Sequence, residues 1–310
     1  MQLTRRQFTT TSAVLGAGAA LARPAGAEDA SVSIILVGDW GRGGHHHQRD
    51  VARQMGRTAQ DIGSLYTVSV GDNFYENGVI SVSDPQWQSS FEDVYTEPAL
   101  QTPWKVILGN HDYRGNVQAQ LDYAKQSQRW QIPARYYAET LALPGGAVAA
   151  FYYLDTSPFI KKYYGTKVAV DGQNSQAQLD WLDAKLAAST ADWNIVIGHH
   201  PIYTAQSDAD GYEHDQQDLI ARLNPILRAH HVPIYICGHD HILQAVKMDG
   251  ISYVCTGAGS ETYPPGPTIR GGFASGAHGF MAARLSGRQL DWSFVDSAGN
   301  ALYSQSIVKA

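Results

Sequence analysis

Ser33-Ile34-Ile35-Leu36-Val37 runs straight into Gly38-Asp39-Trp40, and the same order of residue types returns four more times along the chain. Tyr66-Thr67-Val68-Ser69-Val70 leads to Gly71-Asp72-Asn73, and Trp104-Lys105-Val106-Ile107-Leu108 to Gly109-Asn110-His111-Asp112. Trp193-Asn194-Ile195-Val196-Ile197 leads to Gly198-His199-His200-Pro201, and Pro233-Ile234-Tyr235-Ile236-Cys237 to Gly238-His239-Asp240-His241. A short, β-branched apolar run reads as a strand buried on both faces. Glycine at each exit lets the backbone turn sharply and approach a ligand. A metal-competent side chain follows each time. Strand ends in one sheet share an edge, so these side chains are expected to converge.

Helical patterns fill the intervals. Gln48 to Ile62 places Val51, Met55 and Ala59 at helical spacing, and Trp87 to Tyr95 forms a second pattern. Ser175 to Leu186 carries Leu179 and Leu182, and Gln217 to Arg228 carries Ile220, Leu223 and Leu227. Alternating strands and helices indicate α/β architecture. From Ile251 onward the pattern is strands alone, at Ile251–Thr256, Phe280–Leu285, Leu290–Phe294 and Leu302–Val308. These predict a second sheet or the far half of a sandwich. With no linker or repeat, residues 28–310 read as a single domain.

Of the 310 residues, 44% are hydrophobic and 17% charged, enough apolar material for a core and too much for a disordered chain. The net charge of −6 and the absence of a Lys/Arg-rich block exclude the electrostatic footprint of a nucleic-acid binder. Two cysteines cannot make a disulfide scaffold or a cysteine-rich zinc site.

Residues 1–27 read as an address. Thr4-Arg5-Arg6-Gln7-Phe8 precedes a weakly apolar stretch from Thr10 to Ala22, and Ala25-Gly26-Ala27 offers a small-residue cleavage site. This resembles a bacterial twin-arginine signal. An ordinary secretory signal is the plainer alternative, but the paired arginines before Phe8 favour the twin-arginine machinery as an export partner. The stretch falls short of the ~20 residues that span a bilayer, so no stable membrane anchor is expected. Cleavage removes Arg5, Arg6 and Arg23 and no acid, deepening the charge from −6 to −9. The expected location is periplasmic or secreted. Export of an already folded protein suits an enzyme that takes up its metal in the cytoplasm.

The converging set is Asp39, Asp72, Tyr75, Asn110, His199, His239 and His241. One divalent ion rarely needs so many ligands; two ions sharing a bridging carboxylate use them all. Paired ions about 3.5–4 Å apart clamp the attacking and leaving oxygens of a phosphoryl displacement, and lower the pKa of bound water toward ~7. The oxygen donors are hard and suit iron, manganese or zinc. Taken singly, each Gly-Asp or Asn-His-Asp is an ordinary turn; five in order, each at a strand exit, are not.

This order of motifs resembles the calcineurin-like metallophosphoesterases, and among them the purple acid phosphatases of the mammalian, tartrate-resistant type. Gly71-Asp72-Asn73-Phe74-Tyr75 decides this, because most metallophosphoesterases lack that tyrosine. Phe91-Glu92-Asp93-Val94-Tyr95, Gly115-Asn116-Val117 and Gly257-Ala258-Gly259 extend the likeness over nearly the whole mature chain. The fold it implies is α/β (α+β): a four-layer αββα sandwich of two mixed β-sheets flanked by helices, with the metals at the sheet edge. The resemblance implies Fe(III) on Asp39, Tyr75 and His241, a second divalent ion (Fe, Zn or Mn) on Asn110, His199 and His239, and Asp72 between them. His111 would bind phosphate and help the leaving group depart. The implied reaction is hydrolysis of small phosphomonoesters at mildly acidic pH, by attack of hydroxide held on the ions. A phosphodiesterase on the same scaffold and a non-catalytic iron-binding protein are the alternatives.

Two places depart from the family pattern. The family has a second catalytic histidine nine residues after the Gly-His ligand; here that position is Asp208, and His214, after an insertion from Ser207 to Glu213, is assigned the role. Mammalian members carry an acidic, protease-cleaved repressing loop where this chain has Thr156 to Gly172, which is shorter and contains Lys161, Lys162 and Lys167. His45-His46-His47 reads as a solvated helix start or a metal or substrate contact, and His230-His231 as a helix end. Cys237 and Cys255 read as buried thiols on neighbouring strands, a disulfide being the alternative.

Overall fold

The computed structural model describes residues 30–205, 215–266 and 271–309. The expected export signal at residues 1–27, Asp208 and His214 lie outside them.

The first part of the chain forms β1 (Val32–Val37), α1 (Gln48–Ile62), β2 (Ser64–Ser69), β3 (Trp104–Val106), α2 (Val117–Tyr123) and β4 (Trp130–Gln131). There follow β5 (Tyr137–Ala142), β6 (Val148–Tyr153), α3 (Ser175–Ala187), β7 (Trp193–Ile197), α4 (Gln217–Arg222), α5 (Asn224–Ala229) and β8 (Ile234–Cys237). The chain ends in β9 (Leu243–Met248), β10 (Ile251–Thr256), β11 (Phe273–Ser275), β12 (Gly279–Leu285), β13 (Gln289–Asp296) and β14 (Ala301–Val308).

Two seven-stranded mixed sheets result, with orders β14-β13-β12-β1-β2-β3-β4 and β11-β9-β10-β8-β7-β6-β5. Helices flank this sandwich, and α1 packs on β1, β2 and β12. The repeated strands are therefore not neighbours in one sheet. β1, β2 and β3 run parallel in the first sheet, β7 and β8 parallel in the second. Their carboxyl ends meet across the joint between sheets, where ligands of open α/β sheets bind. The carboxy-terminal strands also differ from expectation. β12 pairs antiparallel with β1, so β12–β14 widen the first sheet, while β10 lies between β8 and β9 in the second. An antiparallel partner at the free side of β1 covers its backbone groups, which would otherwise form an open edge.

Two expected helices change form. The Gln217–Arg228 pattern breaks into α4 and α5, because Pro225 has no N–H to give the carbonyl four residues back. The Trp87–Tyr95 pattern becomes a wide turn over Trp87–Glu92, closed by Asp93 N–H donating to Gln88 O at 2.9 Å. Cys237 and Cys255 are register partners on β8 and β10 and are free, buried thiols. The Cys255 thiol donates to Gly238 O at 3.1 Å. His45, His46 and His47 are exposed before α1, and His47 stacks on His278 with centroids 4.1 Å apart. At the end of α5, His230 Nε2 lies 2.7 Å from Asp183 Oδ1.

An aromatic cluster fills the first layer. Trp40, beside Asp39, has Trp104 at 5.8 Å and Trp130 at 6.2 Å, and donates its indole N–H to Ser69 Oγ at 2.8 Å. Trp130 is wholly buried against Phe74, Trp87 and Phe91. Trp130→Ala is expected to cost about 3–5 kcal/mol of stability, read as a lowered urea midpoint, because the neighbouring rings are too large to collapse into the cavity.

Candidate metal centre

The strand exits turn at the ligand more than at the glycine. Asp39, Asp72 and His239 have left-handed backbones, with φ of 59°, 51° and 71°. Asp and His tolerate this region better than most side chains, at a cost of about 1–3 kcal/mol each. Bonds between exits hold the turns: Asp39 N–H donates to Gly71 O at 3.0 Å within the first sheet, and His239 N–H donates to Asp39 Oδ2 at 3.0 Å across the two sheets. Glycine serves close approach instead. A Cβ at Gly109 would run into the Asp72 carboxylate, and one at Gly238 into that of Asp39.

These turns bring all seven expected ligands to one place. The Tyr75 hydroxyl lies 3.0 Å from Asp39 Oδ1, 3.1 Å from Asp72 Oδ2 and 2.9 Å from His241 Nε2. His241 Nε2 is 3.6 Å from Asp39 Oδ1. On the other side, His239 Nδ1 is 2.9 Å from Asn110 Oδ1, and the His199 and His239 ring centroids are 5.2 Å apart. Asp72 stands between the groups: its Oδ2 is 3.4 Å from His199 Nε2 and 4.0 Å from His111 Nε2. Its Oδ1 accepts His111 N–H at 2.7 Å.

The arrangement demands positive charge. Asp39 and Asp72 are buried, and among the described residues only histidines form ion pairs with them. Burial, with Asp72 adding to it, pushes Asp39 well above the usual carboxylate range. Burial alone would lower the pKa of His199, but Asp72 and then Asp39 outweigh it and raise it to about 10. The same histidine holds Asp72 low against its own burial. His199 Nε2 is buried with no hydrogen-bond partner, while Nδ1 sits 2.9 Å from Val70 O. Burial lowers His241 to about 4 and takes His239 well below its ordinary value, so both rings are neutral, as metal ligands must be. The phenol of Tyr75 has one proton for two carboxylates and an imidazole. A metal fits these donors: it satisfies the orphan His199 nitrogen and neutralises the buried oxygens. Ligand atoms of Asp39, Asp72 and His199 lie within 4.8 Å of one another, as do those of His199, His200 and His239.

His200 is not a free ligand. Its Nδ1 is 2.9 Å from Thr156 Oγ1 and its Nε2 3.0 Å from the Tyr163 hydroxyl. Sequence reasoning missed this trio, since nothing local marks Thr156 or Tyr163. It also gave Asp112 no role. Asp112 accepts from Gly109 N–H at 2.8 Å, Asn73 N–H at 3.0 Å and Gln120 Nε2 at 2.8 Å, clipping the β2 and β3 exits together. The Gly-Asn-His-Asp order carried that signal. Arg42 was missed as well: its guanidinium lies 3.8 Å above the Tyr75 ring and pairs with Glu76 at 2.6 Å and Glu261 at 2.9 Å.

Residues 32–243 match the calcineurin-like phosphoesterase family. Purple acid phosphatase 4 of Arabidopsis thaliana is 35% identical over 291 residues, covering 89% of this chain and 83% of that protein. Human tartrate-resistant acid phosphatase type 5 is 32% identical over 312 residues, covering 92% and 94%. Among solved structures, the Plasmodium protein GAP50, described as the anchor in the inner membrane complex, superposes with a TM-score of 0.80 at 25% identity, covering 91% of this chain and 90% of that one. The matched span takes in every strand exit that carries a ligand, and the chain belongs to the calcineurin-like phosphoesterases and, within them, to the purple acid phosphatases, hydrolases of the acid phosphatase type.

Proposed function

We propose that the protein is a binuclear-metal acid phosphatase that hydrolyses small phosphomonoesters. The observation that carries this reading is the orphan Nε2 of His199 beside two buried carboxylates that have no Lys or Arg partner among the described residues. In this reading Asp39, Tyr75 and His241 hold Fe(III), Asn110, His199 and His239 hold a divalent Fe, Zn or Mn ion, and Asp72 joins the two. Ions bound there acidify water and polarise the oxygens of a phosphoryl group.

The chain's own residues do the rest. His111 Nδ1 lies between Glu76 O at 2.7 Å and Arg114 Nη1 at 2.9 Å, and Nε2, 4.0 Å from Asp72 Oδ2, faces the centre. A departing alkoxide takes its proton from Nε2, a position that the imidazolium always fills. Burial, reinforced by Arg114 and opposed by Asp72, holds the pKa of His111 below its ordinary value, so the proton-carrying form belongs to the acid range. A general acid so placed typically contributes ~10²–10⁴-fold. His214, outside the described residues, is proposed as a second proton donor. Residues 1–27 are proposed to direct the folded protein through the twin-arginine machinery to the periplasm or beyond. No helix of the described residues is long and apolar enough to cross a membrane.

The direct test is metal analysis together with p-nitrophenyl phosphate and bis-p-nitrophenyl phosphate as substrates. Preference for the diester moves the protein to the phosphodiesterases. The likeness to a protein described as an anchor supports a second, non-catalytic reading; a metal-loaded sample inert to both esters establishes it.

Asp72→Ala and Asn110→Ala are expected to reduce turnover to background with an unchanged circular dichroism spectrum. Near-wild-type kcat in a fully metallated Asp72→Ala protein sinks the two-metal model. Iron-loaded, oxidised wild type is expected to absorb in the visible through a Tyr75 phenolate on Fe(III). Tyr75→Phe keeps the ring, loses the band and retains part of the hydrolysis; a wild type with no such band removes Tyr75 from the iron ligands. Limited trypsin treatment reaches the exposed Lys161, Lys162 and Lys167. It is expected to give no gain in kcat, whereas a several-fold rise would reveal a repressing loop.

A further inference from the structure

The segment after β6 is a wall of the site. It makes two tight turns, Ser157–Phe159 and Lys161–Tyr163, and then buries Val168 and Val170. Hydrogen bonds run through it from Thr156 to His200 to Tyr163, and counting protons along them gives a definite answer.

Thr156 Oγ1 accepts the backbone N–H of His199 at 3.1 Å and that of His200 at 3.1 Å. A hydroxyl oxygen has two lone pairs, and both are now used. The remaining contact, to His200 Nδ1 at 2.9 Å, must carry the hydroxyl's own proton. Nδ1 is therefore an acceptor, and the ring proton sits on Nε2. That N–H donates to the Tyr163 oxygen at 3.0 Å. The phenol's own O–H is left over, and no described residue accepts it.

This spare donor is near the metal centre. Tyr163 is 9% exposed, its ring centroid is 5.5 Å from that of His200, and the His200 ring is 4.5 Å from that of His239. Asp72 and Arg114 are the charges its hydroxyl feels, and burial keeps the phenol protonated. A second spare donor belongs to Arg114, whose Nε is buried without a partner while its Nη1 lies 2.9 Å from His111 Nδ1.

We propose that Tyr163 is a phosphate-binding residue. Its O–H, aimed by the Thr156–His200 relay, donates to a phosphoryl oxygen bound on the His239 side of the centre. This rests on the phosphatase reading and extends it to a residue outside the metal ligands. A tetrahedral oxyanion is the ligand class that fits, because the groups with protons to spare are donors and the buried carboxylates repel any anion not held by a cation.

The test uses inorganic phosphate as the probe, titrated calorimetrically into the metal-loaded, full-length protein. Tyr163→Phe is expected to weaken the phosphate Kd by about 10-fold or more, the size of one hydrogen bond to a charged group. Metal content is expected to stay at the wild-type value while Tm falls only by the loss of the acceptor for the buried His200 Nε2–H; a packing role alone would lower Tm without lost affinity. An unchanged Kd in Tyr163→Phe overturns the proposal while leaving the phosphatase reading intact. A wild type that binds no phosphate overturns both. Should Tyr163→Phe fail to fold, 3-fluorotyrosine placed at position 163 of the otherwise native chain gives the answer. Its ¹⁹F resonance is expected to shift on saturation with phosphate, and an unmoved resonance overturns the proposal.

Discussion

Two carboxylates with no Lys or Arg partner among the described residues, buried where two sheets meet, are the constraint on which the rest of this structure depends. An ionised carboxylate taken out of water costs several kcal/mol unless something positive compensates it. Asp39 and Asp72 are nonetheless at most 1% exposed, and among the described residues only imidazoles face them as ion-pair partners. That imbalance sets the character of the centre. It draws His199 toward positive charge, and it surrounds the Tyr75 phenol with acceptors. A site that has no compensating Lys or Arg among the described residues suits a metal ion.

The backbone supplies the precision. Five strands from two sheets must deliver their ends to one point, and hydrogen bonds between exits set the spacing. Gly38 N–H donates to Thr256 O at 2.9 Å, and Gly238 N–H to His199 O at 2.9 Å. Asp112 performs the same service between the β2 and β3 exits. Burial, with the nearby charge of Asp72, raises it to about 7, so it holds those amides from a place where its own ionisation is disfavoured. Side chains behind the ligands matter for the same reason that those behind a catalytic metal generally do: they fix tautomer and orientation.

Much of this was legible in the sequence because it is written locally. A buried strand, a glycine and a polar ligand are consecutive residues, so the ends of β1, β2, β3, β7 and β8 could be read off in order. So could α1, whose bounds coincide with the periodic stretch from Gln48 to Ile62. The break between α4 and α5 was also local, at Pro225, although periodicity concealed it. The antiparallel pairing of β12 with β1 was not legible, since it joins residues some 250 apart. Alternation identifies a strand but not its partner.

The sequence by itself determined the chemistry of this protein: which donors stand at strand exits, in what order, and hence the metallophosphoesterase family they resemble. Those donors act through their own functional groups, and a residue's functional group does not depend on the fold. The tertiary structure alone decided how the donors are distributed between two sheets and showed why His199, which the strand exit already singled out, is free while His200 is not. Position after the exit glycine favoured His199, but nothing in the sequence says what occupies His200. Only contact with Thr156 and Tyr163, each some 40 residues away, occupies both nitrogens of one while the other is left with an orphan nitrogen beside Asp72. Proton ownership in such a network is settled by counting donors and acceptors in space, and no linear pattern encodes that count.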